Sequence, residues 1–89
     1  MIRAFGRTEE TMLIEKLGPN MTVLKLNNGG EILFSYETPV AAHVPGRGKI
    51  KTDRYFSRTT SRHISDWTHD QRPETVPHAE ILKLTKEAR

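Results

Sequence analysis

The sequence predicts an α+β fold built on a small, hairpin-based antiparallel sheet of three to five strands, and three observations carry that prediction. Residues 21–26 and 31–36 are rich in β-branched and aliphatic side chains and are separated by Asn27-Asn28-Gly29-Gly30. Such a cluster supplies the positive φ angles of a tight reversal, so the two runs pair as a β-hairpin. Residues 49–56 set Ile50 against Lys49 and Lys51, the period-two alternation of a strand with one wet face. Thr59-Thr60-Ser61 offers hydroxyl caps just ahead of residues 62–67, where Ile64 and Trp67 stand three apart and share one face of a short helix.

The remaining elements follow from their breakers. Residues 11–17 are apolar enough for a strand or a short helix, which Gly18-Pro19-Asn20 ends. Thr38-Pro39 predicts a bend, because Pro cannot donate to a sheet ladder, and residues 40–44 resume as a short strand. Pro45-Gly46-Arg47-Gly48 reads as a loop and residues 69–73 as a polar connector. Pro77 suits a first helical turn, with Ile81, Leu82 and Leu84 as the buried side of a C-terminal helix; a closing strand over residues 79–84 is the rival reading. No internal repeat and no low-complexity tract is evident.

Eighty-nine residues make one domain, with 1–8 and 86–89 as loose ends. A chain of this length buries only about 60 to 65% of the surface its unfolded form exposes, so the stability margin is thin and a homodimer would widen it. Cys is absent, and no apolar run approaches the roughly 18 residues of a membrane span. These features suit a soluble cytoplasmic protein with no membrane partner. The net charge of +3 is unevenly spread: residues 47–63 hold six Lys or Arg against one acid, while the segments on either side each hold four against five. A field of that kind steers acidic partners.

Within the strip, Arg47, Lys49, Lys51, Arg54, Arg58 and Arg62 can each neutralise a phosphate, and Tyr55 and Phe56 are interleaved as stacking surfaces for unpaired bases. The competing interpretation is a cationic solvated strand edge that keeps the sheet from pairing with strangers. Gly46-Arg47-Gly48-Lys49 is not a phosphate-binding P-loop, since Lys49 is followed by Ile50 rather than Ser or Thr. His43, His63, His69 and His78 include no pair at i, i+4 and have no Cys to support them, so no metal is expected. Ser57, Ser61 or Ser65 with His63 and Asp66 could be arranged as a triad, but proximity in sequence is a common accident. The sequence therefore calls for no catalytic residues and no cofactor. Trp67 reads as a core anchor for the short helix in preference to a partner-facing hot spot.

The segments Ser35-Tyr36-x-Thr38-Pro39-Val40-Ala41, Tyr55, Ser57-x-Thr59-Thr60-Ser61-Arg62-His63-Ile64 and Trp67 resemble a family of small uncharacterised proteins encoded by phages, prophages and their hosts. The resemblance spans about residues 35–67 and implies a phage-type accessory protein with a small β-rich fold in the host cytoplasm; it brings no catalytic set. In the matched stretch, Thr59, Thr60 or Ser61 is expected to cap the helix and Tyr36, Ile64 and Trp67 to pack across the sheet, with Arg62 and His63 outward. Two functions compete. One is a non-enzymatic, anti-CRISPR-like inhibitor that binds a host protein or protein–nucleic acid complex through Arg47, Lys49, Lys51, Arg54, Tyr55, Phe56, Arg58, Arg62 and His63. The other is direct nucleic-acid binding by the same residues.

Overall fold

Each of the first four strand connections carries one residue at positive φ: Asn20 at 61°, Gly29 at 91°, Tyr36 at 61° and Gly46 at 84°. That conformation reverses the chain within a few residues, and it strings five strands into a meander. In the computed structural model, which describes residues 13–87, these are β1 (Leu13–Gly18), β2 (Met21–Lys25), β3 (Glu31–Ser35), β4 (Thr38–Val44) and β5 (Gly48–Thr52). Then come α1 (Arg58–Thr68), β6 (Glu74–Val76) and α2 (His78–Glu87). Tyr36 is a bulky residue in a conformation that favours Gly, and its N–H donates to Asn20 O at 2.7 Å, tying two turns together.

The sheet order is β1-β2-β3-β4-β5-β6, antiparallel through β5, with β6 parallel to β5. Parallel neighbours need a crossover, and α1 is that crossover. Cross-strand partners Val23, Leu33 and Ala41 form a row that packs with Met21 and Val40 against Ile64 and Trp67 of α1. The opposite face carries the row Ile32, Ala42 and Ile50, which packs with Val76 against Ile81 and Leu84 of α2.

The α+β class and the largely antiparallel sheet are as expected, and the segment after Pro77 is a helix. Several details differ, each for a physical reason. Thr38-Pro39 does not break the sheet. Leu33 pairs with Ala41 and Phe34 with Pro39, leaving Val40 as a bulge, which is where a strand tolerates Pro. The strand expected over residues 49–56 stops at Thr52: the Asp53 N–H makes one last bond to β6, at Val76 O, and the chain then turns towards α1. Neither face is simply wet, since α1 lies on one and α2 on the other. Leu82 is 45% exposed, not part of the buried side. Residues 86 and 87 belong to α2, whereas 1–8 lie outside the described residues. No described helix is long and apolar enough to cross a membrane.

Gly48 begins β5 at a φ of +99°, and an added Cβ would stand 3.4 Å from the Gln71 side chain. Gly48→Ala should therefore cost about 1 kcal/mol, read as a fall in Tm of about 4 to 8 °C. An unchanged Tm would show that the backbone relaxes out of that conformation.

Candidate functional site

The strip is sorted by the fold. Arg47 makes a two-pronged contact with Glu74, Nε to Oε1 and Nη2 to Oε2, both at 3.1 Å, and its Nη1 bonds Glu80 Oε2. Hydrogen bonding to Arg47 lowers the Glu74 pKa, and Glu74 followed by Glu80 raises that of Arg47. This exposed cluster ties the β4–β5 turn to β6 and the first turn of α2.

Lys49 is committed as well. Its side chain is only 13% exposed, and Nζ donates to Trp67 O at 2.7 Å and to Asp70 Oδ1 at 2.9 Å, 4.6 Å from the Trp67 ring centre. The last turn of α1 has no cation of its own. Lys49 supplies one from the sheet, satisfying a terminal carbonyl and opposing the negative end of the helix dipole. The hydrogen bond from Lys49 holds the Asp70 pKa below its ordinary value. Trp67 is half-buried against the core, so it serves as the anchor expected of it.

Asp53, the one acid of the strip, accepts from the His78 N–H at 3.2 Å and so caps α2. Phe56 packs edge-on against the His78 ring at 5.2 Å, with the Arg54 guanidinium 5.9 Å from the Phe56 centre.

Four cations remain. Among the described residues, no carboxylate pairs with Lys51, Arg54, Arg58 or Arg62. Lys51 and Arg54 line a cleft of about 230 Å³ with Thr52, Asp53, Tyr55 and, from α1, Ser61, Ile64 and Ser65. Arg58 and Arg62 are exposed on α1 and, at 100° per residue, fall within about 20° to 100° of Ser61 and Ser65 around the helix, on the side away from the sheet. Tyr55 is 73% exposed beside them.

The helix cap is Ser57, not Thr59, Thr60 or Ser61: its Oγ accepts from the Thr60 N–H at 3.1 Å. Thr60 is buried instead and belongs to a relay. Ser57 Oγ donates to Thr60 Oγ1 at 3.2 Å, Thr60 Oγ1 lies 2.9 Å from Ser35 Oγ, and Ser35 Oγ lies 2.8 Å from His63 Nδ1. If each hydroxyl passes its proton along, His63 Nδ1 accepts and Nε2 carries the hydrogen. His63 is thus half-buried and not outward, and Tyr36, expected to pack across the sheet, is 50% exposed with its ring 6.1 Å from that of His63.

The serine hydrogen-bonded to His63 is therefore Ser35, whereas Ser61 and Ser65 face the cleft. Ser35 is only 2% exposed, which denies it a substrate, so the pair works as a clamp between β3 and α1. No described group of three or more His, Asp or Glu could hold a metal ion.

Contrary to the expectation of no internal repeat, the sequence carries a short one that points to the grouping of Arg58 and Arg62 with Ser61 and Ser65. Arg54-Tyr55-Phe56-Ser57, Arg58-Thr59-Thr60-Ser61 and Arg62-His63-Ile64-Ser65 repeat Arg-x-x-Ser three times without a gap. On a helix, a period of four drifts only about 40° per step, so the repeat draws Arg58 and Arg62 and the adjoining Ser61 and Ser65 along one side.

A family model matches residues 12–83, from the start of β1 into α2. The chain belongs to DUF8033, a family of unknown function. The DUF8033 match takes in all six strands, α1 and the first part of α2. A search of curated proteins returns no significant match, and a search of solved structures returns none.

Proposed function

We propose that this domain is a non-enzymatic nucleic-acid-binding protein whose contact surface is the face shared by the end of β5 and the N-terminal half of α1. The sorting of the strip is the observation that carries this reading. Arg47 and Lys49 hold the fold together, while Lys51 and Arg54 line a cleft with hydroxyl donors and an exposed Tyr55, and Arg58 and Arg62 stand exposed on the helix that forms its other side. Cations on one side with serine hydroxyls between them are suited to phosphate contacts, which supply most of the affinity of such proteins and make it salt-dependent.

With four cations on phosphates, a plot of log K against log salt for a random oligonucleotide should have a slope of about −3 to −4. Arg58→Glu with Arg62→Glu should at least halve it. A flat slope, or no binding at low salt, refutes the reading.

A second reading, inhibition of a host machine by direct protein contact in the host cytoplasm, follows from the phage-type resemblance and has one observation in its favour. β1 is an edge strand whose Leu13, Ile14 and Leu17 are 62%, 75% and 43% exposed. It borders a groove of about 340 Å³ lined by Ile14, Thr22, Leu24, Phe34, Tyr36 and Glu37. An edge of that kind accepts an extended strand from a protein partner. On this reading a host protein copurifies after nuclease treatment and is lost with Ile14→Lys; loss on nuclease treatment alone removes it.

A further inference from the structure

From the cleft, the exposed tyrosine and the Arg-x-x-Ser repeat together, we infer that the nucleic acid held here is single-stranded, lying along α1 with one phosphate seated between Lys51, Arg54, Ser61 and Ser65 and a base stacked on Tyr55. This inference rests on the nucleic-acid reading and narrows it.

Three features of the surface argue for an unpaired strand. The cleft is concave, with Lys51 and Arg54 on one wall and the α1 residues Ser61, Ile64 and Ser65 on the other. A phosphate entering it meets two cations and two hydroxyl donors against one anion, Asp53, which also lines the cleft and whose Oδ1 accepts from the first N–H of α2. Secondly, the repeat sets Arg58 and Arg62 four residues apart, which on a helix is about 6 Å of rise. Guanidinium groups at that interval can follow successive phosphates of a drawn-out strand leading away from the cleft. Thirdly, Tyr55 has its ring in solvent, whereas its neighbour Phe56 is already engaged by His78. A base reaches the face of Tyr55 only if it is free of a partner strand, because stacking on a side chain replaces stacking within the duplex. A duplex laid on this surface would touch Arg58 and Arg62 and leave Tyr55 and the cleft floor unused.

Fluorescence anisotropy on a labelled 12-mer of oligothymidylate and on a 12-base-pair duplex, at one low salt concentration, tests this. The single strand should bind more tightly. Tyr55→Ala should weaken it about tenfold or more without changing the salt slope, and should leave duplex binding unaltered. Ser65→Asp, which places an anion in the cleft, should weaken the single strand more than the duplex. Tyr55 and Ser65 are both exposed, so an unchanged Tm is expected for each variant and checks that folding is intact. Equal or tighter duplex binding, or indifference to Tyr55→Ala, overturns the single-strand assignment and leaves the broader reading standing. No binding to either nucleic acid at low salt overturns both.

Discussion

Ile81→Ala should lower the free energy of unfolding by about 2 to 5 kcal/mol, whereas Leu82→Ala, one residue further on, should change it by no more than about 0.5 kcal/mol. Ile81 is fully buried against Ile32, Ala42, Ile50 and Val76 and is the side chain through which α2 holds its face of the sheet. Removing three carbons there loses their transfer free energy and leaves a cavity between a helix and β-strands that cannot collapse around it. Leu82 points to solvent, so its truncation exposes and removes nothing of consequence. The midpoint of urea denaturation measures both. In a domain whose whole stability is of the order of 5 kcal/mol, Ile81→Ala can leave the chain unfolded at 25 °C. Ile81→Val then gives the graded version, about 0.5 to 1.5 kcal/mol. Equal effects at 81 and 82 would mean that α2 packs in a different rotation.

That rotation was only half legible in the sequence. Ile81, Leu82 and Leu84 are too few to fix a helical phase, and a strand over residues 79–84 fits them about as well. The hairpin of β2 and β3 was legible because Asn28, Gly29 and Gly30 state the reversal locally; the Asn28 side chain even accepts from the Gly30 N–H at 2.8 Å. β6 was not. Glu74-Thr75-Val76 has no periodicity, and it becomes a strand only because α1 returns the chain alongside β5. A three-residue parallel strand is a tertiary fact with no local signature.

The candidate site divides in the same way. Charge density is a one-dimensional property, so the basic strip could be read directly. Which cations are available is a question of partners, and the partners are remote: Glu74 and Glu80 stand 27 and 33 residues from Arg47, and Asp70 stands 21 from Lys49. Residues at the start of β5 are consumed in attaching the helices to the sheet, and those at its end and on α1 are not. The fold thereby moves the centre of the positive surface from the glycine loop, where the sequence concentrates attention, to the first turns of α1. The serines tell a similar story. Ser61 and Ser65 were weighed as nucleophiles because His63 is close in sequence, yet helical geometry turns His63 to the opposite flank, where Ser35 meets it.

Thr52→Val should destabilise the domain by about 1 to 3 kcal/mol at neutral pH, and the stability of the wild type should fall as the solution is acidified below about pH 6.5. Both follow from one buried contact. Thr52 Oγ1 accepts from the Arg54 N–H at 3.1 Å and lies 2.8 Å from His78 Nδ1; when the imidazole carries its hydrogen on Nε2, the hydroxyl donates to Nδ1. In that tautomer the imidazole is neutral and Nδ1 is the acceptor. Val keeps the shape and strips both polar neighbours of their partner. Around His78 stand Thr52, the Phe56 ring, the Asp53 carboxylate and the Arg54 guanidinium. Burial lowers its pKa, Arg54 adds to that, and Asp53 opposes it. A histidine whose folded pKa lies below the unfolded value contributes its full stability above the unfolded value of about 6.5. As pH drops from there towards the folded pKa, the unfolded chain binds a proton that the folded chain refuses, and stability is lost. His78→Gln should flatten that part of the profile, measured as urea midpoints between pH 7.5 and about pH 5. If wild-type stability rose on acidification, and the rise vanished in His78→Gln, the Asp53 carboxylate would be outweighing burial and the Thr52 hydrogen bond would run the other way. The two hydroxyl–imidazole contacts thus hold different seams: Ser35 and His63 join α1 to β3 at a half-buried position, while Thr52 and His78 join α2 to β5 at a buried one. Protonation of His78 acts on the second seam, so acid should loosen the hold of α2 on β5.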